Sequence, residues 1–280
     1  MNNNLRSTLQ LLRFHFSVFL MPVYFFALSQ VQVIHWPNAV FIFIILHVLV
    51  YPASNGYNSY MDRDTGSIGG IETPLAPTRY LFYTTIFLDG FAIILSLFIS
   101  ITFFLLLLTY ILASKAYSYR KIRLKRFPFI GFATVIIFQG AVTFLMVYYG
   151  CNTNPGNAFP VYSIIAAALL IGGIYPLTQI YQHEADKKDG VITISYVLGY
   201  RGTFIFSACI YILAFVFLGI VFITKAQVKQ YVLLQLCMLP ALIYFFVWLF
   251  KVWHNKKEAN FKNTMRMNLL ASLCANLGFI

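Results

Sequence analysis

Long, continuous runs of apolar residues constrain this chain more than any other feature. Runs of about 18 or more such residues recur along the whole sequence, and an α-helix needs about that length to cross a bilayer. Charged residues make up only 10% of the chain, whereas roughly 25% is usual for soluble domains. Transmembrane β-barrels instead alternate apolar and polar residues over short segments. We therefore predict an all-α integral membrane protein that crosses the bilayer many times.

The apolar runs predict about nine transmembrane helices in a single polytopic membrane domain, residues 1–280. The third and fourth helices are joined by a very short connection around Ser100 and should form a tight hairpin, and the ninth helix is short. The predicted helices cover residues 13–33, 37–54, 79–98, 101–116, 127–149, 158–181, 202–223, 229–250 and 264–280.

The positions of Lys and Arg predict the orientation of the chain. If the N-terminus lies in the cytoplasm, 18 of the 20 Lys and Arg residues fall on the cytoplasmic side, and only Lys225 and Lys229 fall outside. An excess of these residues in cytoplasmic loops is usual for membrane proteins. Nine helices then place the C-terminus outside. The net charge of +12 is mostly a consequence of this topology, so we expect no nucleic-acid partner.

Two polar segments hold most of the acidic residues. Residues 55–66 follow the second predicted helix, and residues 182–190 follow the sixth. Both segments therefore fall on the predicted cytoplasmic face, where they can face each other across the bundle. We interpret them as two halves of one site; the alternative is a pair of solvated loops whose acids offset nearby lysines. Six of the eight acidic residues lie in or just after these segments: Asp62, Asp64, Glu72, Glu184, Asp186 and Asp189.

Each segment offers an amide oxygen and a carboxylate four residues apart. On a continuous helix, Asn58 and Asp62 lie one turn apart on one face, as do Gln182 and Asp186. Mg²⁺ prefers oxygen ligands and commonly binds through one or two carboxylates together with substrate phosphates. The spacing therefore predicts Mg²⁺ ions that bridge a diphosphate. Nearby cations that can neutralise the remaining charge are Arg63, Lys187, Lys188 and the cluster of basic residues at 120–126.

Three motifs, in order along the chain, resemble those of the UbiA superfamily of intramembrane prenyltransferases. Residues 58–64 (Asn-Ser-Tyr-Met-Asp-Arg-Asp) resemble the first aspartate-rich motif, N-x-x-x-D-x-x-x-D, and residues 72–76 resemble its continuation. Residues 182–199 resemble the second motif, D-x-x-x-D-x-x-x-G-x-x-T, followed by Leu-Gly. Between them, residues 117–119 and 122–126 are similar to the loop that follows the fourth span of the family. The resemblance covers most of the chain.

This resemblance implies a bundle around a central cavity, where a prenyl diphosphate ionises and its carbon chain passes to an acceptor, often an aromatic ring. Asp62 and Asp186 would be the catalytic residues. The residues implied to bind Mg²⁺ are Asn58, Asp62, Gln182 and Asp186, with Asp189 as a further candidate. The residues expected to bind the diphosphate are Arg63, Tyr117, Arg123, Lys125 and Lys187.

The sequence departs from the motifs of the family at two acidic positions. Gly66 stands at the third acid of the first motif, and Gln182 stands at the first acid of the second. Glycine offers no side chain, and glutamine offers an oxygen without charge. We interpret the chain as a divergent member in which Asp64, Glu184 or Asp189 compensates.

Two other classes of function stay open from the sequence. One is a cation-coupled transporter, a class that places ionisable residues near the membrane midplane. Asp89 is the one acid deep in a predicted helix, where it should face protein or a wet cavity, either lining the acceptor pocket or acting as a hydrogen-bonded packing residue. The other is a non-catalytic relative of the prenyltransferases. For the enzyme we predict a polyprenyl diphosphate donor and an aromatic acceptor of quinone-type biosynthesis; chain length, acceptor identity and oligomeric state stay open.

Overall fold

The computed structural model of the chain describes residues 3–153 and 159–280, and helices account for most of these ranges. Within them no β-strand forms beyond two isolated bridges. The α-helices are α1 (Asn3–Leu12), α2 (Met21–Ser29), α3 (Trp36–Ile44), α4 (Tyr51–Asp62), α5 (Arg79–Ser96), α6 (Ile101–Ser118), α7 (Pro128–Val135), α8 (Thr143–Cys151), α9 (Val161–Gln179), α10 (His183–Lys188), α11 (Ile194–Thr224), α12 (Val228–His254) and α13 (Phe261–Phe279). Turns of 3₁₀-helix (Phe14–Leu20, Leu124–Arg126, Ile180–Gln182, Lys256–Glu258) and of π-helix (Ile45–Val50, Ile136–Val142) connect or extend them.

Eight helical stretches in the described ranges are long and apolar enough to cross a bilayer. They confirm the predicted all-α, multi-span membrane fold, and they correspond to the first eight predicted helices. In order they are Asn3–Ser29, Trp36–Asp62, Arg79–Ser96, Ile101–Ser118, Pro128–Cys151, Val161–Lys188, Ile194–Thr224 and Val228–His254.

The ninth predicted span coincides with α13, which is more polar than the other eight. Its 19 residues include Lys262, Arg266 and three asparagines, so it is not among the eight apolar stretches. It nevertheless packs along α12 and against α2, which makes it part of the bundle.

Several predicted helix limits differ from those in the structure. The first stretch begins at Asn3 rather than residue 13, and Arg13 interrupts it with a left-handed backbone (φ 50°). The second stretch runs on to Asp62, well beyond the predicted end at residue 54. The seventh begins at Ile194, with a break at Gly199 (φ 68°), a conformation that glycine adopts readily. The predicted first residue of the sixth helix, Ala158, lies outside the described residues.

The hairpin between the third and fourth stretches forms as predicted. Chain direction reverses between Ser96 and Ile101, and the Ser100 side chain caps α6 by accepting a hydrogen bond from the Phe103 backbone N–H (3.1 Å). Serine favours this position because its hydroxyl satisfies a backbone donor that the helix leaves unpaired.

The helices pack as a bundle with α4, α9 and α13 turned toward its centre. α9 packs along α11, α4 packs against α5 and α6, and α13 joins α12 to α2. Buried aromatic side chains, among them Phe26, Phe103, Phe144 and Trp248, fill the space between neighbouring helices.

Connections that should share one side of the membrane do meet in space. At one end, the His35 backbone N–H donates to the Cys151 carbonyl (2.8 Å), and Lys225 Nζ donates to Gln30 Oε1 (2.8 Å). Gln30 and His35 lie between the first and second stretches, Cys151 ends the fifth, and Lys225 follows the seventh. The two acidic segments lie together at the other end, where they border one cavity.

Candidate active site

A central cavity of about 280 Å³ lies between the two acidic segments and the middle of the bundle. Its apolar wall includes Phe19, Val23, Phe138, Leu170 and Ile174, whereas its other end is polar. Seven of the predicted site residues line this polar end: Asn58, Asp62, Asp64, Tyr117, Lys125, Gln182 and Asp186. We call this polar end the charged mouth of the cavity. The cavity thus joins the charged mouth to an apolar interior.

Asp62 is the most strongly anchored carboxylate of the site. It is the last residue of α4 and is 7% exposed. Lys125 Nζ forms an ion pair with its Oδ2, and Arg123 approaches its Oδ1 at 3.4 Å. Two cations on one loop therefore fix the carboxylate at the mouth of the cavity, since buried charges are stable only when they are paired.

Arg123 joins the two acidic segments through a single guanidinium. Besides Asp62, it forms an ion pair with Asp189 and donates to the Asp189 backbone carbonyl (3.0 Å). Its own backbone is left-handed (φ 49°), which turns the chain between α6 and the Leu124–Arg126 turn. Burial alone would lower the pKa of Arg123, but the hydrogen bonds and charges of Asp189 and Asp62 outweigh it and raise that pKa. Neither Arg123 nor Asp189 is among the residues that line the cavity, and the Asp189 side chain is exposed.

The two amide residues are held in the same way. Asn58 Nδ2 donates to Ser118 Oγ (2.9 Å), and Gln182 Nε2 donates to the Ser67 carbonyl (3.1 Å). Neither side-chain oxygen accepts a hydrogen bond from the described residues, and both residues line the cavity. Each amide is therefore oriented by its nitrogen, and its oxygen has no donor among the described residues.

Asp64 reaches the cavity because the helix stops before it. Arg63 adopts a left-handed conformation (φ 55°, ψ 41°) and ends α4 directly after Asp62. On a continued helix Asp64 would point away from Asp62, whereas here it lines the cavity with it. Burial, followed by the charge of Asp62, raises the pKa of Asp64. Gly66, at the position of the third acid of the motif, has open space around its Cα.

Asp186 completes the acidic wall from the second segment. It lies on α10, which follows the 3₁₀ turn Ile180–Gln182 at the end of α9. Its carboxylate is within electrostatic range of Lys125, Asp64 and Asp62. The two acidic segments, separated by more than a hundred residues, therefore meet across the cavity mouth.

Tyr117 lines the cavity next to the polar end, and its hydroxyl is hydrogen-bonded to that of Tyr175 on α9. The pair ties α6 to α9 below the charged residues. Its phenol groups add polar atoms to a wall that also includes Ser114, Thr178 and Gln179.

Four predicted site residues lie away from the cavity. Arg63 is exposed, with its guanidinium 5.9 Å from the centre of the Tyr60 ring. Glu184 is exposed, and so is Lys187, whose ammonium is 5.8 Å from the Tyr196 ring. Asp89 faces protein, as its depth in the helix predicts, and pairs with Lys115 of α6 (2.5 Å), but it does not line the cavity.

Sequence reasoning missed Arg13, which forms part of the cavity wall. Its guanidinium donates to the carbonyls of Asn55 (3.0 Å) and Gly69 (3.2 Å), and it lies within electrostatic range of Asp64 and Asp62. It thereby ties α4 to the loop that carries Asp64. The sequence offered one signal, an arginine at the first residue of an apolar run.

The residues at the mouth fit a Mg²⁺ site that is completed by substrate. No group of three or more His, Cys, Asp or Glu side chains in the described ranges converges closely enough to hold a metal alone. Mg²⁺ does not require such a cage, since it usually takes one or two carboxylates and fills its other positions with water and phosphate oxygens. Asp62 with the Asn58 oxygen, and Asp186 with the Gln182 oxygen, supply donors of that kind from opposite walls.

Comparison with solved structures supports the same fold. A UbiA homolog from Archaeoglobus fulgidus, bound to DMAPP and Mg²⁺, superimposes with a TM-score of 0.71 at 17% identity, over 98% of each chain. The apo structure of a UbiA homolog from Aeropyrum pernix K1 gives 0.67 at 17% identity, over 95% of this chain and 97% of that one. A structure of digeranylgeranylglyceryl phosphate synthase gives 0.60 at 18% identity, over 100% and 99%. A search of curated proteins found no match.

Fold and site together define a membrane-embedded helical enzyme with a carboxylate-lined cavity. The sequence profile of the UbiA prenyltransferase family matches residues 18–270. The chain therefore belongs to the UbiA prenyltransferase family, as the sequence motifs indicated.

Proposed function

We propose that the protein transfers a prenyl chain from a prenyl diphosphate to an acceptor inside the membrane, with Mg²⁺ as its cofactor. The observation that carries this proposal is the central cavity, which joins a mouth built from both acidic segments to an apolar interior. A prenyl diphosphate has the same division into a charged head and an apolar chain. The A. fulgidus homolog of the same fold was solved with DMAPP and Mg²⁺.

In this reaction the C1–oxygen bond of the donor breaks, and the diphosphate leaves with the electron pair. A new bond forms between C1 and the acceptor, which gives up a proton. Mg²⁺ held by Asn58, Asp62, Gln182 and Asp186 would neutralise the diphosphate and so make it a better leaving group.

The charged residues of the mouth have separate roles in this proposal. Lys125 lines the cavity and can contact the diphosphate, while Arg123, which does not line it, holds Asp62 and Asp189 in place. Asp64 supplies the negative charge that Gly66 and Gln182 do not. Tyr117 and its partner Tyr175 mark the level at which the diphosphate ends and the carbon chain begins.

The apolar interior protects the reacting carbon. A carbocation-like fragment is quenched by water, so a site that excludes water favours transfer to the acceptor. Ring faces such as those of Phe138 and Tyr110, which line the cavity, attract positive charge.

We further propose an aromatic acceptor of quinone-type biosynthesis and one polytopic domain over residues 1–280. In the proposed orientation both acidic segments and the N-terminus lie in the cytoplasm and the C-terminus lies outside.

The transporter alternative receives less support from the structure. Its main candidate, Asp89, is paired with Lys115 and stands apart from the cavity. A carboxylate already neutralised by a lysine on a neighbouring helix is poorly placed to carry an ion through the bundle.

A turnover assay tests the proposal. Purified protein in lipid nanodiscs would receive a labelled polyprenyl diphosphate and a pooled panel of aromatic acceptors, with Mg²⁺ or with EDTA, and products would be read by mass spectrometry. We expect prenylated product with Mg²⁺ only. Asp62→Asn should lower its rate about a hundredfold. Glu184→Gln, an equal loss of charge on an exposed side chain, should leave it unchanged.

The outcomes separate the remaining hypotheses. Mg²⁺-dependent donor binding without product from any acceptor would point to the non-catalytic relative. Full activity in EDTA, or in Asp62→Asn, would refute the proposed chemistry. Electrogenic ion uptake into proteoliposomes, in place of transfer, would revive the transporter.

A further inference from the structure

Asn268 on α13 is a buried amide in the wall of the central cavity. Asn268 is one of the residues that line the cavity and is 2% exposed. Neither Nδ2 nor Oδ1 has a hydrogen-bond partner in the described part of the chain. An unpaired buried amide opposes folding, because both groups lose their hydrogen bonds to water. Sequence positions that break such a rule are commonly functional.

The position of Asn268 separates it from the diphosphate end. Met265, Asn268, Ala271, Ser272 and Ala275 recur every three or four residues along α13, and all of them line the cavity. The first of these touches the loop that carries Asp64, because the Gly70 backbone N–H donates to Met265 Sδ (3.2 Å). Asn268 is one turn further into the bundle, where the cavity changes from charged to apolar.

The chemistry of a carboxamide restricts what it can recognise there. Its Nδ2 donates and its Oδ1 accepts, so a partner that satisfies both must also donate and accept. A hydroxyl group does so. A carboxylate would leave Oδ1 unpaired, and the hydrocarbon chain of the donor would leave both atoms unpaired.

We propose that Asn268 is a specificity-determining residue for the acceptor, whose hydroxyl group its amide binds at the junction between the charged mouth and the apolar interior. This assignment rests on the proposed function, because it concerns the second substrate of that reaction. Hydroxyls of two origins fit, the phenol of an aromatic ring and the alcohol of a lipid.

A matched pair of variants on one helix tests the assignment. Asn268→Leu replaces the amide with an apolar side chain of similar size. Asn276→Leu makes the same change two turns further on, at a residue that is 9% exposed, also has an unpaired buried Oδ1, and does not line the cavity. Each variant would be assayed in nanodiscs with the acceptors that the panel identifies, extended by glycerol-based lipid alcohols.

We expect Asn268→Leu to raise the KM for a hydroxylated acceptor about tenfold, because the acceptor loses one or two hydrogen bonds. The KM for the prenyl diphosphate should stay unchanged. Asn276→Leu should change neither KM. The thermal midpoint of Asn268→Leu should stay the same or rise, since an unpaired amide has been removed from an apolar site. A purely structural role for Asn268 predicts a lower midpoint instead.

The O-methyl ether of the same acceptor, used as a competitive inhibitor, isolates the hydroxyl. Wild-type protein should bind the ether about tenfold more weakly than the hydroxyl compound, and this preference should disappear in Asn268→Leu. An unchanged acceptor KM, or a preference that persists in the variant, would overturn the assignment while leaving the proposed function intact. Absence of turnover with every acceptor would refute the proposed function and the assignment with it.

Discussion

The buried ion pair between Asp89 on α5 and Lys115 on α6 provides a quantitative test of the packing. The two side chains are 2.5 Å apart and are 9% and 19% exposed. The Lys115 ammonium also lies 4.1 Å from the centre of the Tyr57 ring on α4. The pair therefore links three helices in the buried part of the bundle, where an unpaired charge is strongly unfavourable.

Removal of either charge alone should be costly, because the other stays buried without a partner. Loss of one member of such a pair typically destabilises a protein by about 3–5 kcal/mol. For a chain of this size we expect Asp89→Leu and Lys115→Met each to lower the thermal midpoint by roughly 10 °C. The double variant should return to within about 1 kcal/mol of the wild type, since apolar residues of similar volume can replace a buried pair.

Tryptophan fluorescence during thermal unfolding in nanodiscs would measure all four proteins under one condition. Because the pair does not line the cavity, the double variant should bind a prenyl diphosphate as the wild type does. Single variants that each lose little, or a double variant that loses the sum of both, would show that the two charges do not depend on each other. Loss of donor binding in the double variant would assign Asp89 to the site after all.

Two further predictions concern the charged mouth and use matched controls. Arg123→Met should weaken binding of a prenyl diphosphate analogue about tenfold, because it releases Asp62 and Asp189, whereas Arg63→Met should leave binding unchanged. Titration calorimetry measures both affinities, and equal effects of the two variants would refute the separate role of Arg123. Asp64→Asn should raise the Mg²⁺ concentration needed for half-maximal activity about tenfold, whereas Glu184→Gln should leave it unchanged. An unchanged Mg²⁺ requirement in Asp64→Asn would show that Asp64 does not compensate for Gly66.

Helix periodicity accounts for the parts of the fold and site that the sequence predicted. Apolar runs of bilayer length marked eight stretches that the structure contains, and the spacing of Asn58 and Asp62 put both on one face of α4. These features depend on local pattern alone. The ninth helix was predicted as a short apolar run; it packs inside the bundle, but it is more polar than the other eight.

The features that sequence reasoning missed or left open depend on backbone conformations that no local pattern encodes. Arg13, Arg63 and Arg123 all have positive φ, which is uncommon for residues other than glycine and is maintained by surrounding contacts. The turn at Arg63 brings Asp64 into the cavity. The first helical stretch breaks at Arg13, whose own guanidinium joins α4 to the loop that carries Asp64. Asn268 was missed for a different reason, because a lone amide in an apolar helix gives no motif.

The central claim is that the two acidic segments jointly hold divalent cations against a diphosphate. Anomalous scattering from crystals grown with Mn²⁺ and an unreactive prenyl thiodiphosphate tests it most directly, since Mn²⁺ shares the oxygen preference of Mg²⁺. We expect manganese peaks beside Asn58 and Asp62 and beside Gln182 and Asp186, each also contacting the diphosphate. Peaks elsewhere, or an analogue bound at the mouth with no manganese beside either segment, would contradict the account.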